Sequence, residues 1–292
     1  MTKPLVSVGI AAFNCARFIE GAIESALAQD LRDIEVLVVD DGSEDDTALR
    51  AQRMAERDSR VRVESRGRLG GPGAARNRAL EMARGEWFAV LDGDDLMHPA
   101  RLDRLTARAI ADGAEIAADD LLVFDDADPS RTHRFLRGRR ARGPTWLGAE
   151  AFLRETRLYA RPANLGYLKP IIRLEAWRAS GVRYEESVAI GEDHDLMLRL
   201  LLAGLRCRID PFLGYFYRRH PASTSHRLSG AALAALAEQD ERRCAQASVS
   251  APPSLRRALD GLSASVATAV AFDKAVAALK ARRPAAALAV LA

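Results

Sequence analysis

The sequence predicts an α/β fold in which helices cover both faces of a mostly parallel sheet. Short apolar runs rich in β-branched residues alternate with longer segments whose apolar residues recur at helical spacing. Such alternation is typical of parallel sheets, because a helix makes the crossover between successive strands. Polar clusters follow three of the apolar runs, and ligands of these folds bind beyond the carboxyl ends of the strands. The three clusters are Asn14, Asp40-Asp41 and Asp92-Gly93-Asp94-Asp95.

The first half of the chain carries the regular part of this pattern. Apolar runs that stop at polar residues predict strands, and the amphipathic segments between them predict helices. A glycine-rich loop at 67–73 precedes the third of these helices. The predicted strands are 6–13, 34–39, 61–63 and 87–91, and the predicted helices are 17–29, 45–57 and 74–83.

The second half of the chain is less regular. The run 131–142 contains six arginines without a convincing period, so a mobile loop is predicted there. From about residue 228 the chain is rich in Ala and Leu at helical spacing, so we place a domain boundary between 1–227 and a helical region, 228–292. The other predicted elements are strands at 166–174 and 212–217, a helix at 192–203 and a polar loop at 218–226.

Composition narrows the function classes. Because 43 basic residues nearly cancel 40 acidic ones, the net charge is only +3 and nucleic-acid binding is not predicted. The three cysteines are far apart and form no CxxC pattern, which argues against a disulfide framework and favours a reducing, cytoplasmic compartment. The N-terminal run predicts a strand rather than a signal peptide, and we expect no membrane span because charges interrupt every apolar stretch.

Three carboxylates crowd the turn after the strand at 87–91. Asp92, Asp94 and Asp95 would repel one another if unpaired, and a hard divalent cation relieves that repulsion. Mg²⁺ or Mn²⁺ takes carboxylate oxygens and shares the rest of its coordination shell with phosphate. The structural alternative is an acidic turn whose aspartate caps the next helix, and the motif alone leaves both interpretations open.

Two further segments have the chemistry of nucleotide binding. Asp40 and Asp41 end a buried strand, where a carboxylate can accept hydrogen bonds from a nucleobase or a ribose. The glycines of 70–73 permit close backbone approach before a helix N-terminus that favours anions, and Arg76 lies near that terminus. The alternatives are a turn with a helix cap for the aspartates, and a plain loop with a surface arginine for the glycine segment.

Acidic residues and two histidines complete the candidate groups. Glu192, Asp193 and Asp195 begin a predicted helix. An aspartate beside a bound donor substrate could remove a proton from a hydroxyl that attacks this substrate. The alternative is that these carboxylates only interact favourably with the positive end of the helix dipole. His220 and His226 flank a polar loop, and a histidine near a metal–diphosphate could complete the metal shell. An ordinary surface histidine is the alternative.

In this order the motifs resemble those of the family 2 glycosyltransferases, which have the GT-A fold. The resemblance covers roughly residues 5–226. Within the family, the chain looks like bacterial enzymes of exopolysaccharide assembly, of the succinoglycan type. The matching segments are 6–14 (first strand), 38–47 (nucleotide-binding segment), 75–77 (helix after the glycine-rich loop), 90–95 (D-x-D metal motif) and 192–193 (E-D base motif).

The resemblance implies a role for each matching residue. Asp193 would be the general base, and Asp41 with help from Asp40 would hydrogen-bond uracil. One departure concerns the base contacts, because the family's usual Pro-Thr-Tyr is Ala11-Ala12-Phe13 here. The implied nucleotide-sugar-binding residues are Ala11, Phe13, Asp40, Asp41, Arg76, Asp92 and Asp95, and the implied metal ligands are Asp94, Asp92 and His226.

The function implied is that of an inverting glycosyltransferase dependent on Mn²⁺ or Mg²⁺. It would move a sugar, expected to be a hexose, from a UDP-sugar to a hydroxyl of a saccharide or lipid-linked acceptor in exopolysaccharide or cell-surface glycan synthesis. The alternative is a non-catalytic protein that binds nucleotide-sugars or glycans on the same fold. The region 228–292 would pack on the catalytic domain, mediate a homodimer, or rest on the inner face of a membrane as an amphipathic surface.

Overall fold

A computed structural model describes residues 3–65, 67–68, 70–158, 164–188, 191–221, 237–238 and 252–291. It confirms the α/β fold, a mixed sheet with helices. The chain forms two compact units, Met1–Leu147 with Tyr167–Pro221, and Gly148–Gly166 with Ala222–Ala292. The boundary predicted at residues 227 and 228 lies outside the described residues and stays a prediction.

Four parallel strands form the first part of the sheet, β1 (Val6–Ala12), β2 (Ile34–Asp40), β3 (Val61–Ser65) and β4 (Trp87–Asp92). They lie in the order β3-β2-β1-β4. All of β2 and nearly all of β1 is buried, as expected for strands rich in Val and Ile that are covered on both faces. The register pairs Ala12 with Asp40 and Ala11 with Asp92. Two of the acidic clusters therefore lie at the same edge of the sheet.

The sheet continues beyond β4 with the strands β5 (Leu96–Met97), β6 (Ile116–Asp125), β7 (Thr132–Arg134), β8 (Thr145–Leu147), β9 (Ile171–Arg173) and β10 (Cys207–Arg219). Their order is β9-β6-β10-β5, with β7 paired to β6 and β8 to β10. β9 runs antiparallel to both β4 and β6, whereas β6 and β10 are parallel. The strand predicted over 166–174 is shorter than expected because Pro170 lacks the N–H that a ladder needs.

The helices are α1 (Ile19–Leu27), α2 (Thr47–Arg57), α3 (Pro72–Met82), α4 (Arg101–Asp112), α5 (Ala149–Glu155), α6 (Leu174–Ser180), α7 (Glu192–Leu202), α8 (Pro253–Lys280) and α9 (Pro284–Leu291). Two of them, α3 and α7, carry residues of the predicted site. Each begins after a glycine with positive φ, Gly71 at 109° and Gly191 at 86°. Other residues rarely adopt that backbone conformation, so these two glycines set where each helix starts.

The arginine-rich run is more regular than predicted. It contains β7 and a short 3₁₀ helix, Gly138–Ala141. The buried carboxylate of Asp120 organises it, accepting hydrogen bonds from Arg134 Nε at 2.8 Å and from the Leu136 N–H at 2.6 Å. The prediction of a loop without regular structure is therefore wrong for this segment.

The second unit is helical in its described part. Helix α8 packs against α5 and α9, and the Ser254 hydroxyl donates to Glu150 Oε1 at 2.5 Å. By length and composition alone, α8 is long and apolar enough to cross a membrane, so the expectation of no membrane span stays a prediction. Leu262 and Val266 of α8 are buried.

Candidate active site

The turn that follows β4 brings three carboxylates together. Potential ligand oxygens of Asp92, Asp94 and Asp95 all lie within 4.8 Å of one another. Their exposure differs, because the side chain of Asp94 is 30% exposed and that of Asp92 is 21% exposed, whereas Asp95 is fully buried. Asp94 is thus the carboxylate of this turn that a ligand in solution reaches most easily.

Arg76 joins this turn to the start of α7. The guanidinium, supplied by α3, is buried and donates to Asp92 Oδ1 and Glu192 Oε1, both at 2.6 Å. It also lies 3.2 Å from Asp193 Oδ1. The acidic cluster of α7 and the D-x-D turn, which are 100 residues apart in sequence, therefore meet on one cation.

Lys169 makes a second bridge between the same two elements. Its Nζ lies 2.7 Å from Asp92 Oδ2 and 2.6 Å from Asp193 Oδ2. The residue is 5% exposed. Sequence reasoning missed Lys169, although a single lysine among Leu168, Pro170 and Ile171 is a usable signal, since buried lysines are rare unless paired.

Burial and neighbouring charges shift the pKa values of several carboxylates in this region. Burial alone would raise the pKa of Asp92, but the charges of Lys169 and Arg76 outweigh it and hold that pKa below its ordinary value. Burial, reinforced by the charges of Asp94 and Asp92, raises the pKa of Asp95 well above the usual range. Burial and the charge of Asp193 likewise raise the pKa of Glu192. The cluster thus holds more buried acid than its two cations neutralise.

Strand β10 supplies the side of the site that faces Asp94 and Asp95. The Tyr215 hydroxyl donates to Asp95 Oδ2 at 2.8 Å, and the Arg218 N–H donates to Asp95 Oδ1 at 2.7 Å. His220 Nε2 lies 2.9 Å from Asp94 Oδ2. Tyr215 and Arg218 lie in β10 and His220 follows it directly, so all three reach the turn because β10 passes beside it. Tyr215 and Arg218 carried no functional signal in the sequence.

The neighbouring strand end holds the glycine-rich loop. Asp41 accepts hydrogen bonds from the N–H groups of Gly70 and Gly71, at 3.1 and 2.8 Å. Asp40 is buried and accepts from Ser43 and from the Ser65 hydroxyl, at 2.9 Å for the latter. Asp40 therefore fastens the turn, and Asp41 orders the loop that follows β3.

Phe13 and Arg68 lie at the same edge. The Arg68 guanidinium is 5.0 Å from the centre of the Phe13 ring, which is 42% exposed. A large aromatic ring left this open beside a cation offers a stacking surface for a planar ligand. Ala11, in β1, pairs with Val39 and Asp92 in the same layer.

Comparison with protein-family models identifies the family of the chain. The model of glycosyl transferase family 2 matches residues 7–164, more than half of the sequence. The chain belongs to glycosyl transferase family 2. The matched segment contains both acidic strand ends, the glycine-rich loop and Arg76.

Curated proteins that resemble the chain include two succinoglycan biosynthesis proteins. Over 225 residues the chain is 42% identical to the succinoglycan biosynthesis protein ExoO of Rhizobium meliloti, a match that covers 77% of the chain and 64% of ExoO. It is 35% identical to ExoU of the same organism, covering 76% of the chain and 65% of ExoU. The chain therefore spans just under two thirds of the length of these relatives.

Solved structures share the GT-A fold. S. aureus TarS in complex with UDP-GlcNAc superposes with a TM-score of 0.65 at 16% identity, covering 98% of this chain and 90% of that one. The mannosyltransferase PcManGT from Pyrobaculum calidifontis, in complex with GDP-Man and Mn²⁺, has a TM-score of 0.61 at 19% identity, covering 100% and 75%.

The candidate ligand atoms in the active site of this family 2 member suit a hard divalent cation. Both oxygens of Asp92 already accept from Arg76 and Lys169, and both oxygens of Asp95 accept hydrogen bonds from β10. The carboxylate of Asp94 with the imidazole of His220 is the better pair, since Mn²⁺ accepts oxygen and nitrogen ligands. His226, which was predicted as a ligand, lies outside the described residues.

Proposed function

We propose that this protein is a metal-dependent, inverting glycosyltransferase that uses a nucleotide-sugar donor, expected to be a UDP-sugar. The observation that carries the proposal is the meeting of the D-x-D turn and the E-D pair on Arg76 and Lys169. A donor diphosphate at Asp94 would place its sugar within reach of a carboxylate at Asp193. Family membership and the GT-A fold support the same function.

The reaction we propose is a single displacement at the anomeric carbon of the sugar. Asp193 takes the proton of the acceptor hydroxyl, whose oxygen attacks the carbon from the face opposite the diphosphate. The bond from that carbon to the diphosphate oxygen breaks, and its electron pair leaves with the diphosphate. Because attack and departure occur on opposite faces, the configuration inverts.

Other groups of the chain would bind and orient the donor. Phe13 and Arg68 offer surfaces on which the base stacks, and Asp41 would accept a hydrogen bond from it. Arg76, which is buried between Asp92 and Asp193, would order the carboxylates beside the diphosphate. A divalent cation held by Asp94 and His220 would supply Lewis-acid neutralisation of charge on the leaving diphosphate.

We further propose a place in exopolysaccharide synthesis, with a saccharide or lipid-linked saccharide as acceptor. The support is the likeness to two succinoglycan biosynthesis proteins. The region 228–292 would be the part that rests on a membrane or forms a homodimer, because exposed Phe272, Leu279 and Leu288 accompany exposed Lys280.

The decisive experiment is transfer from radiolabelled nucleotide-sugars, with a membrane extract as the source of acceptors and Mn²⁺ or EDTA in parallel. Labelled product with Mn²⁺ and its loss with EDTA are expected, and nuclear magnetic resonance of the product should show inversion. A thermal-shift screen of UDP- and GDP-sugars with Mn²⁺ selects the donor first, because a specific ligand stabilises the native state.

The rival function, a non-catalytic binder, makes the opposite prediction. It would bind a nucleotide-sugar equally well but transfer nothing in a single turnover. Asp193→Asn separates the two, because an enzyme should lose transfer by ~10²- to 10⁴-fold while keeping donor affinity. Asp30→Asn is the matched control, since Asp30 is an exposed aspartate away from the site. If no donor gave any product, the glycosyltransferase function would be rejected.

A further inference from the structure

Lys169 has an unusual position for a lysine. It is 5% exposed, and two of the three protons of its ammonium group point to carboxylates, Asp92 Oδ2 at 2.7 Å and Asp193 Oδ2 at 2.6 Å. The distance to Asp92 is at the lower end of the range for hydrogen bonds between charged groups, and the distance to Asp193 is slightly below it. Its long side chain is therefore held in one place, whereas lysine side chains are ordinarily mobile.

The backbone of Lys169 is held as firmly as its side chain. The Lys169 carbonyl accepts a hydrogen bond from Arg101, whose guanidinium also forms a fork with the carboxylate of Asp119. Arg101 and Asp119 are fully buried. The next carbonyl, that of Pro170, accepts from the Val90 N–H of β4 at 3.3 Å. This lysine is thus fixed to the strand that ends in the D-x-D turn.

The two oxygens of Asp193 are held unequally. Oδ2 has the short contact with Lys169. Oδ1 has two longer contacts, 3.2 Å from the Tyr184 hydroxyl and 3.2 Å from Arg76. A carboxylate anchored through one oxygen keeps its orientation and leaves the other oxygen better able to accept a proton.

We propose that Lys169 is a positioning residue that acts through Asp193. It anchors Oδ2 of this aspartate to the D-x-D strand, so that Oδ1 faces the acceptor hydroxyl. The inference rests on the proposed function, in which Asp193 is the base. Lys169 does not act on the donor itself, because its short contacts are with protein carboxylates. Arg76, with three carboxylates around it, cannot substitute for a contact to Oδ2.

A double-mutant cycle tests this role, with kcat and KM measured for Lys169→Met, Asp193→Asn and the double variant. We expect Lys169→Met to lower kcat by ~10²-fold, in the range of a general base that has lost its alignment. KM for the donor should change by less than about twofold. Residues that act as one unit are not additive, so the double variant should be no slower than Asp193→Asn alone.

Three controls keep the result interpretable. Lys169→Arg retains a cation and should recover part of the lost kcat. Lys3→Met removes an exposed lysine of the same unit and should leave all constants unchanged. Thermal unfolding of each variant checks the fold. Should Lys169→Met not fold, Lys169→Arg alone and in combination with Asp193→Asn replaces it in the cycle.

The outcomes separate the two proposals. If the losses of the two single variants multiply, Lys169 acts independently of Asp193, and if donor KM rises with kcat unchanged, Lys169 acts on the donor. Either result overturns the positioning role while the enzyme stands. If Asp193→Asn transfers at the wild-type rate, the base assignment fails and the positioning role fails with it. If the unmodified protein transfers nothing from any donor, the proposed function itself fails.

Discussion

The two ends of the parallel strands use buried charge in opposite ways. At the amino end, the buried carboxylate of Glu35 in β2 accepts hydrogen bonds from the Ser7 hydroxyl and the Arg84 N–H, at 2.7 and 2.8 Å. Arg62 and Arg84 also reach it through their guanidiniums, at 3.2 and 2.9 Å. One carboxylate thus faces two cations. At the carboxyl end, Asp92 and Asp193 share Arg76 and Lys169 with the further acid of Glu192.

The pKa shifts follow this difference in charge balance. Burial acts to raise the pKa of Glu35, but hydrogen bonds from Ser7 and Arg84 outweigh it and the pKa is lowered. The pKa values of Asp95 and Glu192 are raised, first by burial and then by neighbouring carboxylates. An acid with surplus partners stabilises the fold. Acids that outnumber their cationic partners destabilise the fold. Such a surplus is expected where a site binds a metal cation or takes up a proton.

Removal of an acid from the carboxyl end of the parallel strands should have the largest effect. Asp94→Ala should lower kcat by ~10²- to 10³-fold or more, because the leaving diphosphate loses its charge compensation. It should not lower the melting temperature, since one acid of an overcrowded cluster is gone. Transfer assays and thermal unfolding measure both. The stabilisation by Mn²⁺ with UDP should disappear as well, and a variant with the wild-type rate in EDTA would contradict the metal role.

Removing a cation from the same end should have a large effect on stability. Arg76→Met removes the 2.6 Å contacts of Asp92 and Glu192 and leaves Asp92 only Lys169, so the free energy of unfolding should fall by ~3–5 kcal/mol, as for other broken buried ion pairs. Urea unfolding monitored by circular dichroism measures the loss. Arg53→Met, at an exposed position of α2, is the control. An unfolding free energy within error of the wild type would show that the cluster is not over-acidic.

At the amino end the expected effect is smaller and concerns stability alone. Glu35→Gln should cost ~1–3 kcal/mol at neutral pH, because charged hydrogen bonds are lost, while kcat is unchanged. The pKa of Glu35 is lowered on folding, so its contribution is present above the ordinary glutamate pKa of about 4.3 and is lost as the pH falls through the lowered value. Unfolding free energies measured from pH 7 down to pH 3 should therefore converge for the two proteins.

An exposed glutamate serves as the control for that series. Glu24→Gln, on the surface of α1, should differ little from the wild type at any pH. If the difference between wild type and Glu35→Gln instead grew as the pH fell, the sign of the proposed linkage would be wrong.

The smallest predicted effect concerns the loop beside Asp41. Gly42 has a φ of 73°, and a Cβ there would lie 2.9 Å from the Arg68 backbone nitrogen. Gly42→Ala should cost ~1–2 kcal/mol from the left-handed conformation and move Arg68 away from Phe13, weakening nucleotide binding. Calorimetric titration with UDP measures it. Gly67→Ala, where nothing lies within 4 Å of the added carbon, should bind UDP as the wild type does.

Much of the fold and part of the candidate site followed from local patterns. The apolar runs that end at Asp40 and Asp92 predicted two parallel strands and the edge where their acids meet, because strand periodicity and termination are local properties. The strand predicted over 166–174 and the loop predicted over 131–142 were wrong in extent or kind. Pro170 shortens the strand, and the contact of Arg134 with Asp120 orders the segment predicted as a loop.

The sequence by itself determined the α/β class, the acidic strand ends and the order of motifs that resembles family 2. Only the tertiary structure decided that Lys169, Tyr215, Arg218 and His220 join those acids. The physical reason is that burial and ion pairing depend on which strands lie side by side. β9 pairs with β4, and β10 pairs with β5 across as many as 120 residues of sequence, and no local pattern records these pairings.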